Sequence, residues 1–477
     1  MMIKSFFQIV FLLISCFVFG EKIINVKDYG AKGNGIADDT KSFQLAVDQL
    51  KNLGGKIIIP KGDYRIQHIT FFSNAYSNIT LSGDNAKILQ ITSPKRKSVL
   101  NGAFKTYAQR YAADGCFVFD AMVSNQNNDD YSIKNILIEG LTFISDVKGL
   151  GFDELLHQVS AHGVSSFTIK NCSFIGFLGD AVAINGGTDF SVNRNAYNKN
   201  IQILNSNFDG INNNNRQGIS IYYADGFEIN NCNFKNITRK DMPGAIDIES
   251  DKPTNITRNG KIINCTFQNI GGISAIVLNL KQPSKINDYS YKNFLISGCT
   301  FKNVPSAFCI IGYPEYVNMT SKDGYATVIQ NCNIDQANSP ADIRSAYGVL
   351  FKNVTFRNIT SKILNVVSET GAKFITFEAC NFINIANPNG LGFTGATREI
   401  NFENCTFENF SNNAITINDS NGLGYFVGNK FNSSSTKNAL PIVTSKSLNK
   451  AKINRLNIKN NTSKGNFNPF DLSMFIN

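Results

Sequence analysis

Asp247 and Glu249 stand two residues apart in the segment Ala-Ile-Asp-Ile-Glu at 245–249, where apolar residues alternate with them. Alternation with a period of two marks a β-strand, so Ile246 and Ile248 face one way and the two carboxylates the other, with Cα atoms roughly 6.5–7 Å apart. Two carboxyl groups at such a distance can divide the work of proton donor and base. Inverting glycosidases hold theirs about 6.5–9.5 Å apart and retaining ones about 5–5.5 Å, so the strand spacing leans toward inversion. Repulsion between the two raises one pKa and keeps that group protonated. The expectation is a glycoside hydrolase in which Glu249 donates the proton and Asp247 is the base that activates water; a solvated acidic patch is the bland alternative.

Strands of the same pattern recur: HGVSS, AVAIN, GISIY, AIVLN, YGVLF, ILNVV and AITIN align with AIDIE. In this alignment Val182, Ile184, Ile219 and Ile221 point inward with Ile246 and Ile248. Ala183, Asn185, Ser220 and Tyr222 then share the outer column with the two carboxylates. One residue before each strand the alignment places His162, Asp180, Gln217 and Gly244, with Arg216 beside Gln217. Arg216 and Gln217 are expected to orient a substrate and pair with its anionic groups. Tyr222 offers a ring for a sugar, and His162 is either a substrate contact or a structural histidine at a strand start. Hydrolysis needs no cofactor and no metal. The runner-up is a polysaccharide lyase, in which Asp180, Asp247 and Glu249 hold Ca²⁺ beside a uronate carboxylate while Arg216 or Lys281 abstracts the proton.

These strands need a scaffold that repeats. The phrases IKNCSFIGF, ILNSNFDGI, INNCNFKNI, IINCTFQNI, ISGCTFKNV, IQNCNIDQA, FKNVTFRNI, FEACNFINI and FENCTFENF recur between residues 169 and 410. Their central positions are Phe174, Phe208, Phe234, Phe267, Phe301, Ile334, Phe356, Phe382 and Phe407, and Phe143 and Phe431 extend the series. Repeats of this length with alternating apolar residues predict one strand-turn-strand coil each, unable to bury its inner face unless coils stack in parallel register. The fold class is therefore all-β: a single-stranded right-handed parallel β-helix of about ten or more coils, with the Phe residues in an internal ladder. Cys172, Cys232, Cys265, Cys299, Cys332, Cys380 and Cys405 stand two residues before ladder positions and read as buried thiols rather than disulfides or metal ligands. Asn171, Asn231, Asn264, Asn331 and Asn404 are expected to stack at a turn. At the N-terminal end Phe43, Ala46, Val47 and Leu50 have the spacing of an amphipathic helix, with N-cap candidates in Asp38-Asp39-Thr40 and Gly54-Gly55 behind it. This helix is expected to plug the first coil, and Lys56-Ile57-Ile58-Ile59 to begin the stack.

VKDYGAKGNGIADDT at 26–40, the helix after it, and GGKIIIPKGDYRI at 54–66 closely resemble the N-terminal module of the pectate-lyase-like superfamily, as in rhamnogalacturonase-like and epimerase-like β-helix proteins. The resemblance implies a right-handed β-helix, a carbohydrate substrate and a cleft on the side of the helix, without fixing the reaction. The Asn-Thr-Asp, Asp-Asp, Gly-His-Gly and Arg-Ile-Lys set of polygalacturonases is missing: GDAVAING at 179–186 has one Asp where that family has a pair.

Residues 1–20 carry Lys4 and an apolar run ending in Gly20, which reads as a cleaved export signal rather than a membrane anchor, with lipidation at Cys16 as the second-choice processing site. The expected organisation is a signal at 1–20, a cap and first coils at 21–94, an insertion loop at 95–135 and repeats at 136–477. Export places the protein in the medium, at the cell surface or in the periplasm. With 42% hydrophobic and 17% charged residues the chain has material for a core and is not disordered. Its net charge of +10 suits a polyanionic partner. No basic cluster interleaved with aromatics and no zinc or helix-turn-helix pattern supports nucleic acid, so the expected partner is an acidic polysaccharide or oligosaccharide, with no stable membrane span. A non-catalytic glycan-binding or adhesion solenoid using the same basic side remains open.

Overall fold

Ile23–Asn25 opens the stack, running parallel to Gly55–Ile59 with Ile23 opposite Lys56. The coils thus begin one strand earlier than the Lys56–Ile59 segment suggests. The computed structural model describes residues 21–91, 115–121, 132–185, 198–250, 257–280, 293–312, 324–360, 365–366, 373–386, 391–393, 398–410, 413–417, 424–433, 440–444 and 456–465. A full coil contributes three short strands, one to each of three parallel sheets. Ala224–Asn230, Asn233–Ile237 and Ile246–Glu249 form one coil. Thr257–Ile263, Thr266–Ile270 and Ile276–Asn279 lie on them in register, at the ~4.8 Å spacing of paired strands.

The second sheet carries the Phe ladder. Phe143, Phe174, Phe208, Phe234, Phe267 and Phe301 are register partners in turn. Their rings stack 4.7–5.1 Å apart and within 7° of parallel. Ile334 interrupts the stack, and Phe356, Phe382, Phe407 and Phe431 resume it. Around the ladder one continuous apolar cluster runs from Ile24 to Phe431.

The bends between sheets explain the rest of the repeated phrase. Asn171, Asn231, Asn264, Asn331 and Asn404 have φ of 53–56°, the left-handed conformation that Asn tolerates and that costs most other residues roughly 1–2 kcal/mol. Two of them bond along the axis, each with a further asparagine of the row: Asn231 Nδ2 donates to Asn205 Oδ1 at 2.9 Å, and Asn353 Nδ2 to Asn331 Oδ1 at 2.8 Å. A second Asn row that was not anticipated follows the Phe, with Asn303 donating to Asn269 and Asn384 to Asn358, each at 2.9 Å. The seven repeat cysteines are buried free thiols. Each tucks against backbone carbonyls, as Cys232 Sγ does against Ile203 O of the preceding coil at 3.4 Å.

The helix α1, Thr40–Asp48, closes the first coil with Phe43, Ala46 and Val47, and Leu50 is buried just beyond it. Phe43 meets Tyr64 edge-on at 5.1 Å. Asp39 is its N-cap residue, yet the carboxylate turns to the N–H groups of Lys32 and Gly33 instead of the helix. Gly55, at φ 132°, abuts the Lys22 carbonyl oxygen where a Cβ would not fit.

Two of the aligned strands belong elsewhere. HGVSS runs into Val164–Lys170 and YGVLF into Tyr347–Lys352, both in the first sheet. Inward-facing residues alternate identically in every sheet, so hydropathy alone does not say which sheet a strand joins. Within 95–135, Gly115–Asp120 is a third-sheet strand between Ile69–Phe72 and His157–His162, and Ile133 already starts the next strand. The remainder of that stretch, 95–114 and 122–131, lies outside the described residues, as do 1–20. Among the described residues no helix is long and apolar enough to cross a membrane.

Candidate functional site

The third sheet holds the residues picked out for chemistry. Ser160, Ala183, Ser220, Asp247, Val277, Cys309 and Asp342 are register partners along its outer face. Their strand neighbours Val159, Val182, Ile219, Ile246, Ile276 and Phe308 enter the core cluster, so the inward and outward assignment holds. The outer column is nevertheless not open to water: Asp247 is 1% exposed, and Asp180, Gln217 and Ser220 are fully buried.

Asp247 and Gln217 meet directly, Gln217 Nε2 donating to Asp247 Oδ2 at 3.2 Å. Burial holds the Asp247 carboxyl well above the ordinary 3.8, and the Glu249 and Asp180 charges add to this. The Gln217 hydrogen bond and the Arg216 cation oppose them without prevailing. Burial and the neighbouring negative charges thus favour the protonated form of Asp247. Glu249, one outward position further along the strand, is partly exposed and takes a hydrogen bond from Asn279 Nδ2 at 2.5 Å.

Arg216 comes from the loop before Ile219–Ile221 and reaches down one coil. Its Nη1 donates to both Asp180 oxygens, at 2.7 and 2.8 Å, and lies 3.5 Å from the Tyr222 hydroxyl. Its Nη2 meets Glu154 Oε1 at 3.2 Å. Burial pulls the guanidinium pKa down, but the Asp180 carboxylate, with Tyr222 and Glu154, more than offsets this and raises it. A cation so stabilised stays protonated and is not a base. Tyr222, partly exposed, has its phenol pushed up by burial and by Asp180.

His162 is not in the row with Asp180. Register pairs Val182 with Val159, so the residue beside Asp180 is His157, whose Nδ1 accepts the Asp180 backbone N–H at 3.1 Å. That bond puts the ring proton on Nε2, and the 3.5 Å approach of Nδ1 to Asp180 Oδ2 is then proximity rather than an ion pair. His162 ends the strand opposite Asp120 and Asn185, fully buried, with Ser160 Oγ 2.7 Å from its Nε2. The misplacement follows from aligning HGVSS to the wrong sheet. Lys281 lies outside the described residues.

The structure thus gathers Asp180, Arg216, Gln217, Tyr222, Asp247 and Glu249 on one flank, and adds His157, Glu154 and Asn279. Nothing in the repeat marks Glu154, which lies on a non-repeating loop; His157 was within reach of an alignment in the correct frame. Among the described residues no three His, Cys, Asp or Glu side chains are grouped to hold a metal, and a cation held by Asp180, Asp247 and Glu249 would have to displace Arg216 from Asp180. Gln217 Oε1, Ser220 Oγ, Asp247 Oδ1 and Asn279 Oδ1 are buried without a hydrogen-bond partner. Each such atom costs about 1–3 kcal/mol, and four on one flank mark a place kept polar against stability.

A family model described as rhamnogalacturonase A/epimerase, pectate lyase-like matches residues 23–341. The chain belongs to this family. A stretch of 43 residues is also 51% identical to alginate lyase 7 of Azotobacter vinelandii, 9% of this chain and 5% of that protein. A longer similarity, 26% identity over 302 residues, joins it to the plasmin and fibronectin-binding protein A of Streptococcus pneumoniae, covering 59% of this chain and 38% of that one. The chain thus spans well under half the length of these curated relatives. Among solved structures, the A-module of the mannuronan C-5 epimerase AlgE6 of Azotobacter vinelandii superposes with a TM-score of 0.55 at 14% identity. The superposition covers 94% of this chain and 100% of that one, and shows a shared fold. This is a carbohydrate-related β-helix protein whose similar proteins include, by name, a lyase, an epimerase and a binder of plasmin and fibronectin.

Proposed function

We propose that the protein is exported and cleaves an acidic polysaccharide at the third-sheet flank, by β-elimination on a uronate. The observation that carries this is the buried Asp247 carboxyl beside the partly exposed Glu249 on one strand: burial raises the Asp247 pKa and suits it to donate a proton, with Glu249 as the base. Burial favours Asp247 as the donor, the reverse of the assignment expected from the sequence. In elimination Glu249 takes the proton from the carbon next to the uronate carboxylate, the C–O bond to the leaving sugar breaks as the C=C bond forms, and Asp247 protonates the departing oxygen. Arg216 neutralises the carboxylate. Its Nη1 is fixed by Asp180, while its Nη2 faces Glu154, whose side chain is 61% exposed. An exposed pair of this kind is worth little, so a substrate carboxylate can take the place of Glu154. The alginate lyase similarity supports uronate chemistry. Hydrolysis would use the same two carboxyls differently: Glu249 would take a proton from a water that attacks the anomeric carbon, and the C–O bond from that carbon to the leaving sugar would break as Asp247 protonates the departing oxygen.

The burial of Asp247, Asp180 and Gln217 favours a second reading, binding without turnover, and the 302-residue similarity to a plasmin and fibronectin-binding protein supports it. A panel of polyuronates and sulfated galactans, with and without calcium, separates these. Unsaturated, ultraviolet-absorbing ends lost in Asp247→Asn establish elimination. Reducing ends without unsaturation establish hydrolysis, and binding with neither product establishes the adhesion reading.

A further inference from the structure

The loop from Gly151 to Leu156 leaves the coil of His157–His162 and climbs along the flank of the third sheet. Its backbone is tied to the next coil, Asp153 N donating to Leu178 O at 3.1 Å and Gly179 N to Leu156 O at 2.8 Å. Glu154 then reaches Arg216, two coils up, and Phe152 reaches Arg239, three coils up, a climb of roughly 14 Å at the ~4.8 Å spacing of strands. The Arg239 guanidinium lies over the Phe152 ring, 3.7 Å from its centre. Its Nη2 donates to Asp241 Oδ2 at 2.8 Å.

Arg216 and Arg239 are therefore built alike. Each side chain is mostly buried, 14% and 18% exposed, and each is fixed on one side, by the Asp180 carboxylate or by the Phe152 ring. Each faces outward onto a carboxylate that is itself in water, Glu154 at 61% and Asp241 at 72% exposure. Stacking on an aromatic face leaves the in-plane N–H groups of a guanidinium directed at acceptors around its edge, the geometry suited to a carboxylate. Arg216 and Arg239 precede third-sheet strands of adjacent coils, whose separation is comparable with one sugar unit.

We propose that Arg239, held flat by Phe152, is a second anion subsite beside Arg216, and that the two arginines read carboxylates on neighbouring sugars of one acidic chain. Glu154 and Asp241 occupy the two places until the substrate displaces them. This rests on the polyuronate reading above and extends it from a single carboxylate to a charge on successive sugars, selecting a polyuronate over a chain with isolated acidic residues.

The test measures binding of size-fractionated oligoalginate and oligogalacturonate, and of their carboxyl-reduced neutral counterparts, to the full-length wild type, Arg239→Gln, Arg239→Lys and Phe152→Ala. Affinity of Arg239→Gln for the charged oligosaccharides is expected to fall at least about tenfold, the loss typical of one charge-assisted hydrogen bond. Its salt dependence should be shallower. Arg239→Lys keeps the charge but not the stacked fork and is not expected to restore affinity, and Phe152→Ala should lose part of it. Asp241→Asn should bind the charged chains more tightly, a gain that a misfolded protein would not show. Unchanged affinity in Arg239→Gln, with wild type binding the charged chains, overturns the subsite and leaves the polyuronate reading standing. Wild type that binds neutral and charged chains equally, or neither, overturns both.

Discussion

Replacing Asp247 by Asn probes the central physical claim, that this carboxyl is neutral in the folded protein. Asparagine has the same shape, and its oxygen still accepts the Gln217 Nε2 hydrogen bond that Asp247 receives at 3.2 Å. At low pH, where both side chains are neutral, the two proteins should differ in stability by no more than about 1 kcal/mol. Above the ordinary carboxylate value of 3.8 the unfolded wild-type chain loses the Asp247 proton while the folded chain keeps it, because burial and the Glu249 charge raise the folded pKa. The folded state then binds more protons than the unfolded one, so wild-type stability is full below 3.8 and declines as pH rises toward the folded pKa. The decline from this group is at most about 1.4 kcal/mol per pH unit. Asp247→Asn lacks this proton, and the other groups largely cancel in the comparison. Urea unfolding of both proteins at steps from about pH 4 to about pH 8 should show a gap that widens in favour of the variant as pH rises. Meanwhile turnover of a cleaved polysaccharide should fall by roughly 10²–10⁴-fold. A stability gap that does not change with pH refutes the neutral carboxyl, and with it the proton-donor role.

Two further perturbations address the scaffold. Phe267 is buried between Phe234 and Phe301 at 4.9 and 4.8 Å, so Phe267→Ala should cost about 3–5 kcal/mol in urea unfolding; a loss under about 1 kcal/mol would show that the stacked rings contribute little. Asn264 sits at φ 53°, so Asn264→Ala should destabilise by roughly 1–2 kcal/mol and Asn264→Gly by less; equal losses would mean that backbone conformation is not what selects asparagine there.

The ladder was legible because one phrase carries both its inward residue and the corner that precedes it. Asn at 171, 231 or 264 marks a left-handed bend, Cys or its equivalent turns inward just after, and Phe follows two residues on, so register is written locally in every coil. The third sheet has no such corner mark. Its strands are read only by alternation, which HGVSS and YGVLF satisfy while lying in the first sheet, and so His162 was set beside Asp180 in place of His157. Asp247 and Glu249 were found because two charges on one strand are conspicuous, but their environment was not readable. Facing away from the core is a property of the strand, whereas exposure depends on loops from other coils, such as the one that brings Glu154 to Arg216. The proposed roles are the reverse of the expected ones for this reason: strand spacing treats the two carboxyls as equals, and only burial distinguishes them.

The three parallel sheets run along the described chain without a gap that would divide it, and every coil but the two terminal ones is gripped by its neighbours on both sides. A peptide bond cut in a connecting loop removes a covalent link but no rung of hydrogen bonds and no stacked ring. Such a molecule would remain whole in native buffer after nicking and come apart only in denaturant, so in this architecture mechanical integrity resides in the pile rather than in the thread.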